Sequence, residues 1–257
     1  MRLQGLELRR IGLDLVVPFR TSFGVEDHRD VLLLRVITDA GDGWGECVAM
    51  SEPAYSAEFV DGAELVIRDH FWPVLAAADS VTAATIAPRL DRFAGHPMAK
   101  AAIEMAVLDA ELRATGTGLH ACFGGIRDRV PSGVSVGIFP TIDELLAQVQ
   151  GYVDDGYARI KLKVEPGSDI EPVRLVRELI GPDLGLQVDA NTAYRRTDIQ
   201  HLCRLDEFDL LLIEQPLPDD DLLGHAQLAQ ASSTPVCLDE SIVSVRTAID
   251  AIELGAA

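Results

Sequence analysis

Four ionisable side chains recur through the second half of the chain at nearly one interval. Lys163 closes the run Ile160-Lys161-Leu162-Lys163, Asp189 closes Gln187-Val188-Asp189, Glu214 closes Leu212-Ile213-Glu214, and Asp239 closes Cys237-Leu238-Asp239. Lys163 and Asp189 are 26 residues apart, and the steps to Glu214 and then Asp239 are 25 residues each. Each run is short and apolar and is followed by a helical stretch, so the interval is the length of one β/α unit. Each group then falls at the C-terminal end of a parallel strand, where the active sites of such sheets lie. Three carboxylates at one rim repel one another unless a cation neutralises them. Asp and Glu oxygens without His or Cys suit Mg²⁺ or Mn²⁺, and three ligands leave room for water and substrate. Lys161 and Lys163 are two apart and share one face of their strand. Paired ammonium groups lower each other's pKa, which prepares an amine to act as a base near neutral pH. The chemistry expected is metal-assisted removal of a proton α to a carboxylate. The plainer readings are a helix N-cap for any single Asp after a strand, and a solvated surface for K-x-K alone. Three acids on one period, joined to a lysine pair flanked by Ile160, Leu162 and Val164, favour the site. Glu240 and Ser241 are better capping candidates than Asp239, and Asp198 is a candidate cap for the helix before Leu210.

The elements that must position these groups follow from the periodicity. From about Pro131, strand-like and helix-like stretches alternate five times: 133–137 with 142–154, 159–164 with 170–180, 186–190 with 198–205, 210–213 with 222–229, and 236–238 with 245–254. Five strand-then-helix units predict a parallel sheet with helical crossovers. The first part is different. Residues 6–15, 31–38 and 44–48 are strand candidates joined in part by the turn Gly41-Asp42-Gly43, so a small antiparallel sheet is expected. Helices are expected over 56–77 with Ser56 as N-cap, over 82–93 with Pro88 inside, and over 98–114 ending at Gly116. The predicted fold is an α+β N-terminal cap over 1–125, followed by an α/β domain over 126–257 holding the first five units of a (β/α) barrel. An open doubly wound sheet would want a glycine-rich phosphate loop, and Gly124-Gly125 lacks that form.

Composition narrows the function classes. The chain has 257 residues, of which 48% are hydrophobic and 25% charged, with a net charge of −19. No Lys/Arg cluster offers a surface to nucleic acid or to an anionic membrane. The four cysteines form no C-x-x-C pair, which argues against a zinc or redox motif and for reduced thiols. The first residues do not resemble a secretion signal and no apolar run reaches transmembrane length, so a cytoplasmic protein is expected. None of the six His sits in a nucleophile-elbow context, and His96 and His120 read as helix-boundary residues.

With these motifs in place, the chain resembles the enolase superfamily and, within it, the muconate-lactonizing-enzyme-like subgroup. The resemblance is nearest to o-succinylbenzoate synthases that also racemise N-acylamino acids. Pro18-Phe19-Arg20-Thr21-Ser22-Phe23-Gly24 looks like the family's mobile cap loop, and Gly43-Trp44-Gly45-Glu46 like its third cap strand. Residues 102–112, with Asp109 among them, look like the helix leading toward the barrel. The resemblance implies Asp189, Glu214 and Asp239 as ligands of Mg²⁺, Lys163 as acid/base, and Lys161 as a stabiliser of nearby charge. It implies substrate contacts from Ser135 and Asn191, and cap-side contacts from Phe19, Phe23 and Met50, which would otherwise be plain cap core. It implies dehydration to o-succinylbenzoate for menaquinone synthesis, or racemisation of an N-acylamino acid using a second lysine on a sixth strand. A dipeptide epimerase or cycloisomerase of the same superfamily is the alternative. The chain stops after the fifth unit, so an inactive fragment is the third reading. The expected partner is a small-molecule carboxylate, and a homo-oligomer is expected at full length.

Overall fold

The computed structural model describes residues 1–257. The chain forms two units, Met1–Val17 with Asp27–Asp128, and Pro18–Glu26 with Arg129–Ala257.

The first unit is built on a three-stranded sheet in the order β1 (Leu3–Thr21), β2 (Gly24–Thr38), β3 (Gly41–Cys47), with β2 and β3 antiparallel. Alternate residues Leu32, Leu34 and Val36 of β2 are fully buried, as period-two patterning requires. β1 extends well past the expected 6–15. Its outer half, with Leu13, Val16 and Val17, is exposed, so no core imposes an alternation there for the sequence to display. Helices α1 (Val60–Val66) and α2 (Trp72–Ala76) flank a π-helical turn, Ile67–Phe71. The lack of an N–H on Pro73 accounts for a break in the regular ladder there. Ser56 does not cap this run. The helix starts only at Val60, and the Ser56 hydroxyl is spent on the backbone of Glu58. Next come α3 (Ala83–Leu90), α4 (Pro97–Thr115) and the single turn α5 (Leu119–Cys122). Gly116 ends α4 with a left-handed φ of 66°, as expected for a C-terminal glycine. β3 lies directly on α4: a Cβ on Gly43 would meet the Ala106 carbonyl at 2.0 Å, and one on Gly45 the Ala102 carbonyl at 2.1 Å.

The second unit is a five-stranded sheet in the order β4 (Gly133–Val136), β5 (Arg159–Lys163), β6 (Gly185–Asp189), β7 (Ile213–Glu214), β8 (Val236–Cys237), with every neighbouring pair parallel. Strand order equals chain order, so each crossover helix carries the chain one strand onward. Those helices are α6 (Ile142–Asp154), α7 (Ile170–Ile180), α8 (Ile199–Leu202) and α9 (Leu222–Ala231), and α10 (Val245–Leu254) follows β8. Ile160, Leu162, Leu186, Val188 and Ile213 point into one apolar core with Val149, Val173, Val176 and Leu228 from the helices. Four helices have side-chain caps on their first amides: Thr141 for α6, Asp169 for α7, Asp221 for α9 and Ser244 for α10. The expected caps at Glu240, Ser241 and Asp198 are therefore not used. α10 begins later than those two residues, the Asp198 carboxylate accepts from the Arg195 amide, and α8 has no side-chain cap.

Candidate active site

The register of the parallel sheet sets the geometry. Lys163 pairs with Asp189, Asp189 with Glu214, and Glu214 with Cys237, so these four residues form one row across four strands. One step down, Ser135 pairs with Lys161 and Lys161 with Gln187. Period two then directs Lys161 and Lys163 away from Ile160 and Leu162, which pack into the helix-covered core. Asp239 is not level with the other acids. It lies two residues beyond the row, about 6–7 Å along the strand direction. Even spacing in sequence hid this offset, because register and not residue count sets height on a sheet.

The lysines and acids of the row are tightly joined. Lys161 Nζ donates to Glu214 Oε1 at 2.7 Å and lies 2.8 Å from Asp189 Oδ2. Lys163 Nζ donates to Asp189 Oδ2 and to Asn191 Oδ1, both at 2.6 Å. The Asp189 side chain is only 1% exposed and that of Lys163 10%. Burial opposes the charge on Asp189, but the ammonium groups of Lys163 and Lys161 outweigh it and hold the carboxyl below its ordinary range. Glu214 is raised, first by burial and also by the neighbouring Asp189 carboxylate, against the pull of Lys161. The expectation that the lysines depress each other fails at Lys161. Burial works in that direction, but hydrogen bonds to Asp189 and Glu214 reverse it, and the amine is raised.

The donor set is the fit test for a metal. Asp189, Glu214 and Asp239 offer only hard oxygen, and Glu214 is pushed up partly because a second carboxylate crowds it, a conflict that a divalent cation relieves. No three His, Cys, Asp or Glu side chains are gathered closely enough to grip one ion. Asp189 and Glu214 are adjacent, Asp239 is exposed at the rim, and the two ammonium groups face the adjacent pair. In residue chemistry the set fits Mg²⁺ or Mn²⁺.

Loop residues above the row complete the site, and sequence reasoning overlooked most of them. Gln215 is fully buried with a left-handed φ of 36°. Its Oε1 accepts from the amides of Asp239 and Ser241, and its Nε2 donates to Ser241 Oγ and the Leu217 carbonyl. One side chain thus ties the end of β7 to the end of β8. Asn191, also left-handed at φ 42°, donates its amide N–H to Asp189 Oδ1 and its Nδ2 to Glu240 Oε1. The segment Pro18–Glu26 belongs to this unit. The Arg20 guanidinium pairs with Glu165 at 2.8 Å, the Arg20 carbonyl accepts from Ile138 N, and the Ser22 hydroxyl donates to the carbonyls of Ala190 (3.0 Å) and Asn191 (3.3 Å). Positive φ at non-glycine residues is invisible in composition. The available signal was the polar residue directly following two of the three acids: Gln215 after Glu214, and Glu240 after Asp239.

The remaining expected contacts are spread over both units. Ser135 Oγ is buried without a hydrogen-bond partner, beside Lys161 in the lower row. Asn191 has both ends of its side-chain amide engaged, with Lys163 and Glu240. Phe19 is half-buried near Gly137, and Phe23 is exposed. Met50 lies in the first unit, bridged to Phe59. A cavity of about 220 Å³ is lined by Lys163 and by Leu162, Ile142, Leu145, Glu171 and Pro172, so it lies toward α6 and α7, on the helix-covered side of the sheet and away from Asp189 and Glu214.

Comparison with known proteins identifies the family. Residues 7–124 match the profile of the mandelate racemase / muconate lactonizing enzyme N-terminal domain, and residues 144–257 match that of the enolase C-terminal domain-like family. The chain is 61% identical over 256 residues to an N-succinylamino acid racemase from Amycolatopsis sp, covering 100% of this chain and 70% of that protein. It is 42% identical over 249 residues to an o-succinylbenzoate synthase from Geobacillus kaustophilus, covering 96% of this chain and 66% of that one. A substrate-liganded L-Ala-D/L-Glu epimerase from Bacillus subtilis superposes with a TM-score of 0.91 at 27% identity, covering 100% of this chain and 73% of that one. The strand cap, the parallel α/β unit and these matches together place the chain in the mandelate racemase/muconate lactonizing enzyme family of the enolase superfamily, a family of enzymes.

Proposed function

We propose that this protein removes the proton α to a carboxylate with Lys163 as the base, in racemisation of N-acylamino acids and in dehydration to o-succinylbenzoate. The observation that carries the reading is the row Lys163, Asp189, Glu214 on neighbouring parallel strands, with Lys161 bridging the two acids. The relatives at 61% and 42% identity support the two activities. Part of the reading is that the five parallel strands belong to a (β/α) barrel, and that the substrate is a small carboxylate handled by a homo-oligomer.

Asp189, Glu214 and Asp239 would hold a divalent ion. When bound, it supplies positive charge against the substrate carboxylate as the α-proton leaves. Lys163, acting as the free amine, takes that proton at Nζ. Asn191 Oδ1 and Asp189 Oδ2 fix where Nζ stands, which confines attack to one face of the substrate. Lys161, held between Asp189 and Glu214, keeps a positive charge beside the carboxylate as electrons move into it. In dehydration the electron pair left at Cα forms the new double bond as the hydroxyl departs, and the acquired proton leaves with it as water. In racemisation the proton returns from the opposite face, which Lys161 cannot serve because it shares the strand face of Lys163; that activity needs a second donor, the role the family resemblance gives to a lysine on a sixth strand. A dipeptide epimerase is the second reading, supported by the 28% identical L-Ala-D/L-Glu epimerase of Bacillus subtilis. An inactive fragment is the third.

The test is α-proton exchange in deuterium oxide with Mg²⁺, on N-succinyl- and N-acetylmethionine, on the cyclohexadiene precursor of o-succinylbenzoate, and on L-Ala-L-Glu. Exchange on the acylamino acid that falls by about 10²-fold or more in Lys163→Ala supports the lead. Exchange unchanged by that substitution ends it, and exchange only on the dipeptide moves the assignment to the epimerase.

A further inference from the structure

We propose that Glu240 is a positioning residue that orients the Lys163 amine through Asn191. The inference rests on Lys163 being the base. Asn191 stands between two groups of opposite hydrogen-bonding character: the Lys163 ammonium only donates, and Glu240 Oε1 accepts. The Asn191 amide is the one bipolar group in the chain of three, so Glu240 decides which way it faces. With Nδ2 on Glu240 at 2.9 Å, Oδ1 is turned to Lys163 at 2.6 Å. A reversed amide would set an NH₂ against an ammonium group. The backbone of Asn191 is held independently, by its amide on Asp189 Oδ1 and by its carbonyl under the Ser22 hydroxyl, so the side-chain amide is what Glu240 controls.

Two observations separate this role from ordinary scaffolding. Glu240 has no capping duty, because Ser244 caps α10. Its Oε2 is buried with no hydrogen-bond partner, a cost that a purely structural side chain at this position would not carry. Without Glu240 the amide is free to turn, and Lys163 keeps only Asp189 as a fixed acceptor.

The experiment measures the acetylation rate of Lys163 by acetic anhydride, relative to Lys100 in the first unit, by peptide mass spectrometry on the whole chain. It is paired with kcat and KM for α-proton exchange. Glu240→Ala is expected to change relative Lys163 labelling by about fivefold or more and to lower kcat by about tenfold, with KM within about twofold. Glu240→Gln keeps an acceptor for Asn191 Nδ2 and is expected to restore labelling to within about twofold of the parent. If Glu240→Ala does not fold, Glu240→Asp, one methylene too short to reach Asn191, takes its place with the same expectation. Labelling unchanged in Ala or Asp overturns the proposal, and so does Gln falling together with Ala. A parent protein that exchanges no α-proton sinks the Lys163-base reading instead, while the labelling series still decides whether Glu240 orients the amine.

Discussion

His225 shows how a single side chain behind the site makes stability depend on pH. It is 0% exposed on α9, and its two ring nitrogens face fixed partners: Nδ1 lies 2.8 Å from the Asp221 carbonyl and Nε2 3.2 Å from the Leu217 amide nitrogen. The carbonyl only accepts and the amide only donates, so the ring is neutral, with its proton on Nδ1. A second proton on Nε2 would break the bond that holds the turn after Glu214. Burial accordingly lowers the pKa of His225. The unfolded chain takes up that proton near pH 6.5 and the folded one lower, so stability is complete above about 6.5 and falls as pH drops toward the folded value, by at most about 1.4 kcal/mol per pH unit. His225→Leu removes the titration and leaves the Leu217 amide unpaired, at a cost of about 2 kcal/mol at pH 8. Urea titrations at pH 7.5 and 5.5 should show the gap between parent and variant shrink at the lower pH. A gap that stays constant means His225 titrates alike in both states.

At the scale of elements, the packing of β3 on α4 depends on the absence of side chains. Ala102, Ala106 and Ala110 recur every four residues and present one shallow face of α4, and Gly43 and Gly45 present bare Cα atoms to it. Gly45→Ala puts a methyl 2.1 Å from the Ala102 carbonyl, so strand and helix must separate, and a loss of about 3 kcal/mol is expected. Gly151→Ala is the opposing control. That glycine is exposed in α6 with nothing within 4 Å of an added Cβ, so the change should stabilise by about 0.5–1 kcal/mol. Thermal melts of the two variants should move in opposite directions, and a shared direction refutes the packing argument. The same contrast explains what the sequence discloses. α4 was readable to within a residue or two because Ala-rich composition and a terminal glycine are local signals, and the five strand–helix pairs because burial enforces their apolar runs. Asn191 with Glu240, Gln215 with Asp239, and Arg20 with Glu165 join residues 24 to 145 apart, and no local pattern encodes such pairs. The acids were identifiable as types, but their heights were not: a two-residue offset of Asp239 leaves the 25-residue rhythm intact and still moves its carboxylate off the row.

For the molecule as a whole, the site and the net charge make competing predictions about added cations, and the competition can be resolved. A net charge of −19 at pH 7 repels itself, so any salt should stabilise the folded chain by screening. Screening depends on ionic strength and is indifferent to which carboxylate is present. Site binding depends on Asp189, Glu214 and Asp239, and stabilises by mass action: at a hundred times its Kd, an ion bound only by the folded state adds about 2.7 kcal/mol. Melting in MgCl₂ should therefore exceed melting in NaCl at matched ionic strength, and MnCl₂ should behave like MgCl₂. Asp239→Asn should erase most of the excess while leaving the NaCl response in place, because the side chain is exposed at the rim and its charge is one among many. Asp189→Asn is a less direct probe, since it also strips Lys161 and Lys163 of their shared acceptor and should lower stability before any ion is added. If MgCl₂ and NaCl coincide at equal ionic strength, the acids at the strand ends serve the lysines alone, and the metal-assisted reading of the row falls with them.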